Sequence, residues 1–145
     1  MKIGILTSGG DCPGLNAVIR GAVLKGSRKY GIEFVGIRDG WRGLVDADFF
    51  PLQRADVKGL SKVGGTILGT SRTNPYEGDR GGAENIKKTM YGHKLDGIIA
   101  IGGEGTLAAA NRLWHDGVPV LGVPRTIDHD LQATDSSFRF DSAGN

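Results

Sequence analysis

Apolar and polar residues fall along this chain in blocks that read as elements. Lys2 to Leu6 is a short apolar run ending in Thr7-Ser8-Gly9-Gly10, as a strand does when it enters a glycine-rich turn. Leu15, Val18, Ile19, Ala22 and Val23 then recur at helical spacing, which predicts one apolar helix face ending near Gly31. Glu33 to Ile37 reads as a second strand, leading into Asp39-Gly40-Trp41-Arg42-Gly43-Leu44. Asp46 to Lys62 is weakly periodic and predicts one short helix. A glycine- and threonine-rich segment, Gly64 to Arg72, precedes a charged loop from Tyr76 to Gly82. A helix from about Ala83 to Tyr91, stopped by Gly92, leads to a strand over Gly97 to Ile101. A second glycine-rich turn, Gly102-Gly103-Glu104-Gly105, opens a helix from Thr106 to about Asp116, with Gly117 as its cap. Val118 to Val123 is the last strand. Strands alternating with helices predict an α/β fold: a three-layer, Rossmann-like domain over residues 1–145 with a mostly parallel sheet.

Composition narrows this picture. The chain is 39% hydrophobic and 23% charged, and no run approaches the apolar length needed to span a bilayer. Its first residues lack the long apolar stretch of a signal peptide, so a cytoplasmic protein without a membrane partner is expected. Cys12 is the only cysteine, which excludes an internal disulfide and a cysteine-built zinc site. The net charge is +2 and the basic residues are scattered, so no nucleic-acid partner is expected. Glycine is the unusual count, 25 of 145, clustered without a period at what should be tight loops.

Three polar segments directly follow three strands: Ser8 to Asn16, Gly102 to Thr106, and Arg125 to Asp130. In a parallel sheet all three leave from one carboxyl edge, where open α/β folds bind ligands. Gly9 and Gly10 suit a phosphate cradle ahead of a helix N-terminus, although neither Walker A nor GxGxxG spacing is present. Glu104, a carboxylate between glycines, is repelled by phosphate unless a cation lies between them, which suggests magnesium. It also suits a helix N-terminus on dipole grounds alone. Asp128 and Asp130 add carboxylates at the third segment; one could take a proton from a hydroxyl, as a kinase requires, or the pair could form a surface turn. Arg72 could stabilise a transferred phosphoryl group or be a solvated loop charge. His93 and His115 are expected at the surface, and Trp114, on a helix with Leu107 and Ala110, in the core.

Four of these segments together resemble the 6-phosphofructokinases, with affinity to the actinobacterial-type branch. Thr7-Ser8-Gly9-Gly10-Asp11-Cys12-Pro13-Gly14-Leu15-Asn16 is similar to that family's first nucleotide loop. Gly64 to Arg72, Gly102 to Thr106, and Thr126-Ile127-Asp128-His129-Asp130 are similar to its next three motifs, in order. The glycine–glycine–acid–glycine element alone also resembles NAD kinases and diacylglycerol kinases.

The resemblance implies ATP-dependent, Mg2+-dependent phosphorylation of fructose 6-phosphate to the 1,6-bisphosphate in glycolysis. It implies that Gly10, Arg72, Thr73, Gly103, Glu104, Gly105 and Thr106 bind ATP, with Glu104 as the metal ligand. Thr126, Ile127 and Asp128 would face fructose 6-phosphate, with Asp128 as the base for its 1-hydroxyl and Arg72 as a catalytic cation. Trp41 stands where many members carry an aromatic residue near the nucleotide.

Some positions depart from the pattern. His129 replaces the common Asn, Arg139 a Gly, and Glu104 the more usual Asp; Arg125 stands where the family has Gly or Lys. Family chains also continue into a second domain, absent here, so a truncated and inactive portion of a homo-oligomer, tetramer or dimer, is expected. A pyrophosphate-dependent enzyme and a non-catalytic nucleotide-binding module stay open as alternatives. Gly105 favours ATP over pyrophosphate, because a carboxylate there would fill the space of a third phosphate, whereas the charge of Arg125 points the other way.

Overall fold

The computed structural model describes residues 1–9, 14–60 and 66–125. Gly10, Thr126, Ile127, Asp128, Asp130, His129 and Arg139 lie outside these.

Among the described residues five strands form one sheet in the order β3-β2-β1-β4-β5. They are β1 (Lys2–Thr7), β2 (Glu33–Ile37), β3 (Phe49–Pro51), β4 (Gly97–Gly102) and β5 (Val120–Pro124). Every pairing is parallel except β2 with β3. The helices are α1 (Leu15–Tyr30), α2 (Trp41–Asp46), α3 (Arg54–Val57), α4 (Ala83–Gly92) and α5 (Glu104–His115).

The strands read as nearly unbroken apolar runs because helices cover both faces. Ile3, Ile5, Phe34, Ile99, Ile101 and Val123 point into one core layer, against Leu15, Val18, Ile19, Ala22 and Val23 of α1 and Val57 of α3. Leu6, Val35, Ile37, Ile98, Ala100 and Val120 point into the other, against Trp41 and Leu44 of α2, Ile86 and Met90 of α4, and Ala110 and Leu113 of α5. Fully burying each large aliphatic side chain contributes roughly 1.5–3 kcal/mol. The α1 stripe is the predicted one, and the helix ends at Gly31, whose left-handed backbone (φ 65°) lets its N–H reach the Gly26 and Ser27 carbonyls.

Three expectations need correction. Asp46 to Lys62 holds, in its described part, the end of α2, a strand and a second short helix instead of one helix. Strand β3 forms at the sheet edge, where Pro51 is tolerated. The Phe50 ring lies on Gly36, where no side chain intervenes, and the Arg38 guanidinium sits 4.3 Å from the centroid of that ring. Trp114 is 53% exposed, not core. The face of α5 that packs is Thr106, Ala110 and Leu113, which leaves Trp114 on its flank. The helix also starts at Glu104, two residues before the expected Thr106, because Gly103 serves as N-cap. His93 and His115 are exposed, as expected.

Candidate functional site

From β1 the chain turns to β2 on one side and later returns to β4 on the other, so β1 and β4 are neighbours across a topological switch point. A crevice opens there between the loops leaving the carboxyl ends of the two strands, Ser8-Gly9 and Gly102-Gly103. Arg125, just beyond β5, reaches the same place. Two of the three sequence-predicted segments are thus brought together in their described parts, and the third arrives through Arg125.

The glycine- and threonine-rich segment crosses the end of β1, which sequence reasoning had not placed. Buried Thr7 anchors it: its hydroxyl donates to the Gly69 carbonyl at 2.8 Å and lies 2.9 Å from the Thr66 hydroxyl. Asn16, buried in the first turn of α1, accepts from the Ile67 N–H at 2.8 Å. Ser71 then donates its hydroxyl to the Asp39 carbonyl at 2.6 Å, while its own carbonyl accepts from the Gly9 N–H at 3.4 Å. Arg72 and Thr73 follow directly from this pinned serine into the crevice.

The opposite wall is the start of α5. Leu107 N–H donates to the Gly103 carbonyl at 3.0 Å, closing the first turn. The amides of Glu104, Gly105 and Thr106 precede that bond and have no intrahelical acceptor, which makes this end attractive to anions. A Cβ on Gly102 would collide with the Thr106 hydroxyl and, at 2.6 Å, with the Ser8 carbonyl, so the loops meet only because this residue is glycine. Gly105 is different: nothing lies within 4 Å of the place its Cβ would occupy. The Thr106 hydroxyl is buried and has no hydrogen-bond partner among the described residues.

Arg125 bridges the two loops. Its Nη2 donates to the Gly9 carbonyl at 3.1 Å, and the same atom would be 3.2 Å from a Cβ on Gly103. Its Nε is buried without a partner among the described residues. Trp41, 2% exposed, lines the floor, held there by the turn around Arg42, whose Nη2 donates to Asp48 at 2.7 Å and Asp39 at 3.0 Å. Those hydrogen bonds, Asp48 foremost, raise the Arg42 pKa above its ordinary value.

The crevice widens into a cleft of about 640 Å³, within the range of small-molecule sites. Arg72, Arg112 and Arg125 line it, with Glu104 as the one carboxylate among the described lining residues. Such a balance suits a polyanionic ligand. No three His, Cys, Asp or Glu side chains among the described residues converge to hold a metal unaided. Magnesium asks for less: one or two carboxylates, completed by phosphate oxygens and water. Glu104 beside free helix amides fits that donor set.

Tyr76 and Arg112, at the outer end, were missed by sequence reasoning. Arg112 stacks 3.6 Å from the centroid of the Tyr76 ring, and the Tyr76 hydroxyl donates to Asp116 Oδ2 at 2.7 Å. Burial, with that hydrogen bond second, pushes the Tyr76 pKa up to about 12. No local pattern joins residues forty positions apart, so only the fold reveals them.

Comparison with known proteins agrees with this architecture. The family profile described as Phosphofructokinase matches residues 2–145. A pyrophosphate–fructose 6-phosphate 1-phosphotransferase of Amycolatopsis methanolica is 54% identical over 143 residues, which are 99% of this chain and 42% of that protein. ATP-dependent 6-phosphofructokinase 3 of Streptomyces coelicolor is 52% identical over 143 residues, with the same shares covered. The chain therefore spans about two fifths of the length of these relatives, at 42% of each. Among solved structures, phosphofructokinase from Saccharomyces cerevisiae superposes with a TM-score of 0.77 at 26% identity, over 88% of this chain and 20% of that one. Pichia pastoris phosphofructokinase in the T-state gives 0.75 at 32% identity, over 88% and 16%. With a profile matched from Lys2 to Asn145 and relatives above half identity along that whole length, the chain belongs to the phosphofructokinase family.

Proposed function

We propose that residues 1–145 are the donor-binding domain of a cytoplasmic, homo-oligomeric enzyme that phosphorylates the 1-hydroxyl of fructose 6-phosphate, with ATP as donor. The observation that carries this reading is the cleft at the β1/β4 switch point, where three arginines, the free amides of α5 and Glu104 converge on one space. The relatives' names supply the sugar phosphate and the class of reaction.

In this reading the amides of Glu104, Gly105 and Thr106 hold donor phosphate oxygens, and the Thr106 hydroxyl donates to one of them. Glu104 would hold magnesium, which when bound would offset the charge of the donor phosphates. Gly10 would also bind donor phosphates, and Arg72, with Thr73 beside it, meets the group in transit with its planar fork of donors. Thr126 and Ile127 contact fructose 6-phosphate. Asp128 takes the proton of its 1-hydroxyl, which becomes nucleophilic as that proton leaves.

ATP is favoured because the space beside Gly105 is open and the cleft continues outward to Tyr76 and Arg112, beyond what two phosphates would fill. Pyrophosphate is the second reading. It is favoured by the names of the relatives at 54% identity and by Arg125, whose guanidinium occupies part of the cradle between Gly9 and Gly103. The test is the full-length protein assayed with either donor. Preferential use of ATP, moved toward pyrophosphate by Gly105→Asp, is expected; a protein that uses pyrophosphate better than ATP refutes the donor assignment.

A further inference from the structure

The stretch from Ser71 to Tyr76 lines the cleft with neither helix nor strand to stiffen it before its turn. Its near end is fixed at Ser71 by the bonds to Asp39 and Gly9. Its far end is fixed at Tyr76, and there the anchor is α5. The phenol donates to Asp116 at the C-terminal cap of that helix, at 2.7 Å. Arg112, one turn earlier, covers the ring at 3.6 Å. The approach of the ring is set locally, since Asn74 Oδ1 accepts from the Tyr76 N–H at 2.9 Å and the Pro75 carbonyl accepts from Gly82 N–H at 2.8 Å. Arg72 and Thr73 hang between the two anchors.

Helix α5 therefore carries the proposed donor site at its first turn and the tie to the opposite wall at its last. We infer that Tyr76 is a positioning residue for Arg72: held through ring and hydroxyl to α5, it fixes the span from which Arg72 approaches the donor. Two features make the tie directional. A phenol–carboxylate bond sets distance, and a stacked guanidinium sets the plane of the ring. Without them the far end keeps only its local turn and the Gly82 N–H bond to the Pro75 carbonyl, with no tie to α5, and the arginine samples a wider arc. A misplacement of about 1 Å is enough to slow a reaction strongly. This inference rests on the proposed function, because Arg72 needs a donor to meet.

The test uses the full-length protein and steady-state kinetics with each donor. Tyr76→Phe and Asp116→Ala should each lower kcat/KM for the donor about threefold, and Tyr76→Ala about tenfold, equivalent to about 1.4 kcal/mol. KM for fructose 6-phosphate should stay put. Asp116→Asn keeps an acceptor oxygen and should recover most of the loss of Asp116→Ala. The discriminating arm is an Arg72→Ala background, in which Tyr76→Ala should add little, because the residue it positions is gone. A Tyr76→Ala variant with the parent's donor kinetics overturns the inference. So does a full tenfold loss persisting beside Arg72→Ala, or a fall in every kinetic constant in proportion to lost folded protein. A parent protein that transfers phosphoryl from neither donor refutes the proposed function and this inference together. Unaffected variants of an active parent refute the inference alone.

Discussion

Replacing Gly105 with Ala puts one methyl group into the space at the start of α5 where nothing lies within 4 Å. The residue is second in the helix, so the backbone already has the conformation that Ala favours. Gly→Ala in a helix interior stabilises by up to about 1 kcal/mol, which for a domain of this size is about 2–4 °C in Tm. Gly105→Ala should therefore hold or raise Tm while obstructing the donor. One methyl group against a bound ligand is worth roughly tenfold or more in affinity. Gly102→Ala supplies the contrast. There the new Cβ would lie 2.7 Å from the Thr106 Cβ and 2.6 Å from the Ser8 carbonyl, and neither atom belongs to a flexible end. Overpacking of that kind costs about 1–3 kcal/mol. Thermal unfolding and donor titration of the two full-length variants check the pair: Gly105→Ala should lose binding without stability, and Gly102→Ala should lose stability. A Gly105→Ala protein that binds donor like its parent would refute the claim that this space is kept for a ligand.

Other outcomes follow from the same geometry. Asp128→Asn in the full-length protein should lower kcat by about 10²–10⁴ with donor affinity little changed, read from turnover and donor titration. Loss of donor binding with turnover preserved would make Asp128 a ligand rather than a base. The 145-residue chain by itself, which spans 42% of the length of its relatives, should bind donor weakly and show no turnover. Donor titration and a coupled assay check this, and an active 145-residue chain would refute it. Tyr76 should ionise near pH 12, against about 10 for an ordinary tyrosine. Because its folded pKa lies above the unfolded value, its contribution to stability is complete below about pH 10 and is lost as pH rises through 12. Absorbance titration at the phenolate band should show a high-pH step that Tyr76→Phe abolishes.

The long apolar periodicities in the sequence carried the fold well. Leu15 to Val23 marked α1 because five side chains on one stripe face a sheet, and Glu33 to Ile37 marked β2 because both of its faces are covered. Short elements failed for lack of length. Three residues of β3 and six of α2 leave no period to detect, and their stability comes from Phe50 on Gly36 and from Trp41 and Leu44 in the core, contacts that only the fold creates. Trp114 misled because its apolar bulk suggested burial, while the packing face of α5 begins with Thr106, a residue that reads as polar. At the site, Glu104, Gly105 and Thr106 were legible from a glycine-rich turn after a strand. Arg72 needed the family resemblance, since nothing local says that Ser71 is tied to Gly9 and Asp39. Tyr76 with Asp116 was beyond reach, being a pair made by tertiary structure alone.

The seam between β1 and β4 also governs when a binding site can exist. Ile3 pairs with Gly97 and Thr7 with Ile101, so strands far apart in the sequence close it. During synthesis β1 can find β2 early, as both lie within the first 37 residues, but Gly9 has no Gly103 to face until β4 has emerged. Pairings of such long range form slowly. A ligand touching both loops binds only the closed seam, and at a hundred times its Kd it would add about 2.7 kcal/mol to the closed form. A newly made chain would thus be held shut by any ligand that spans both loops, from the moment β4 closes the seam.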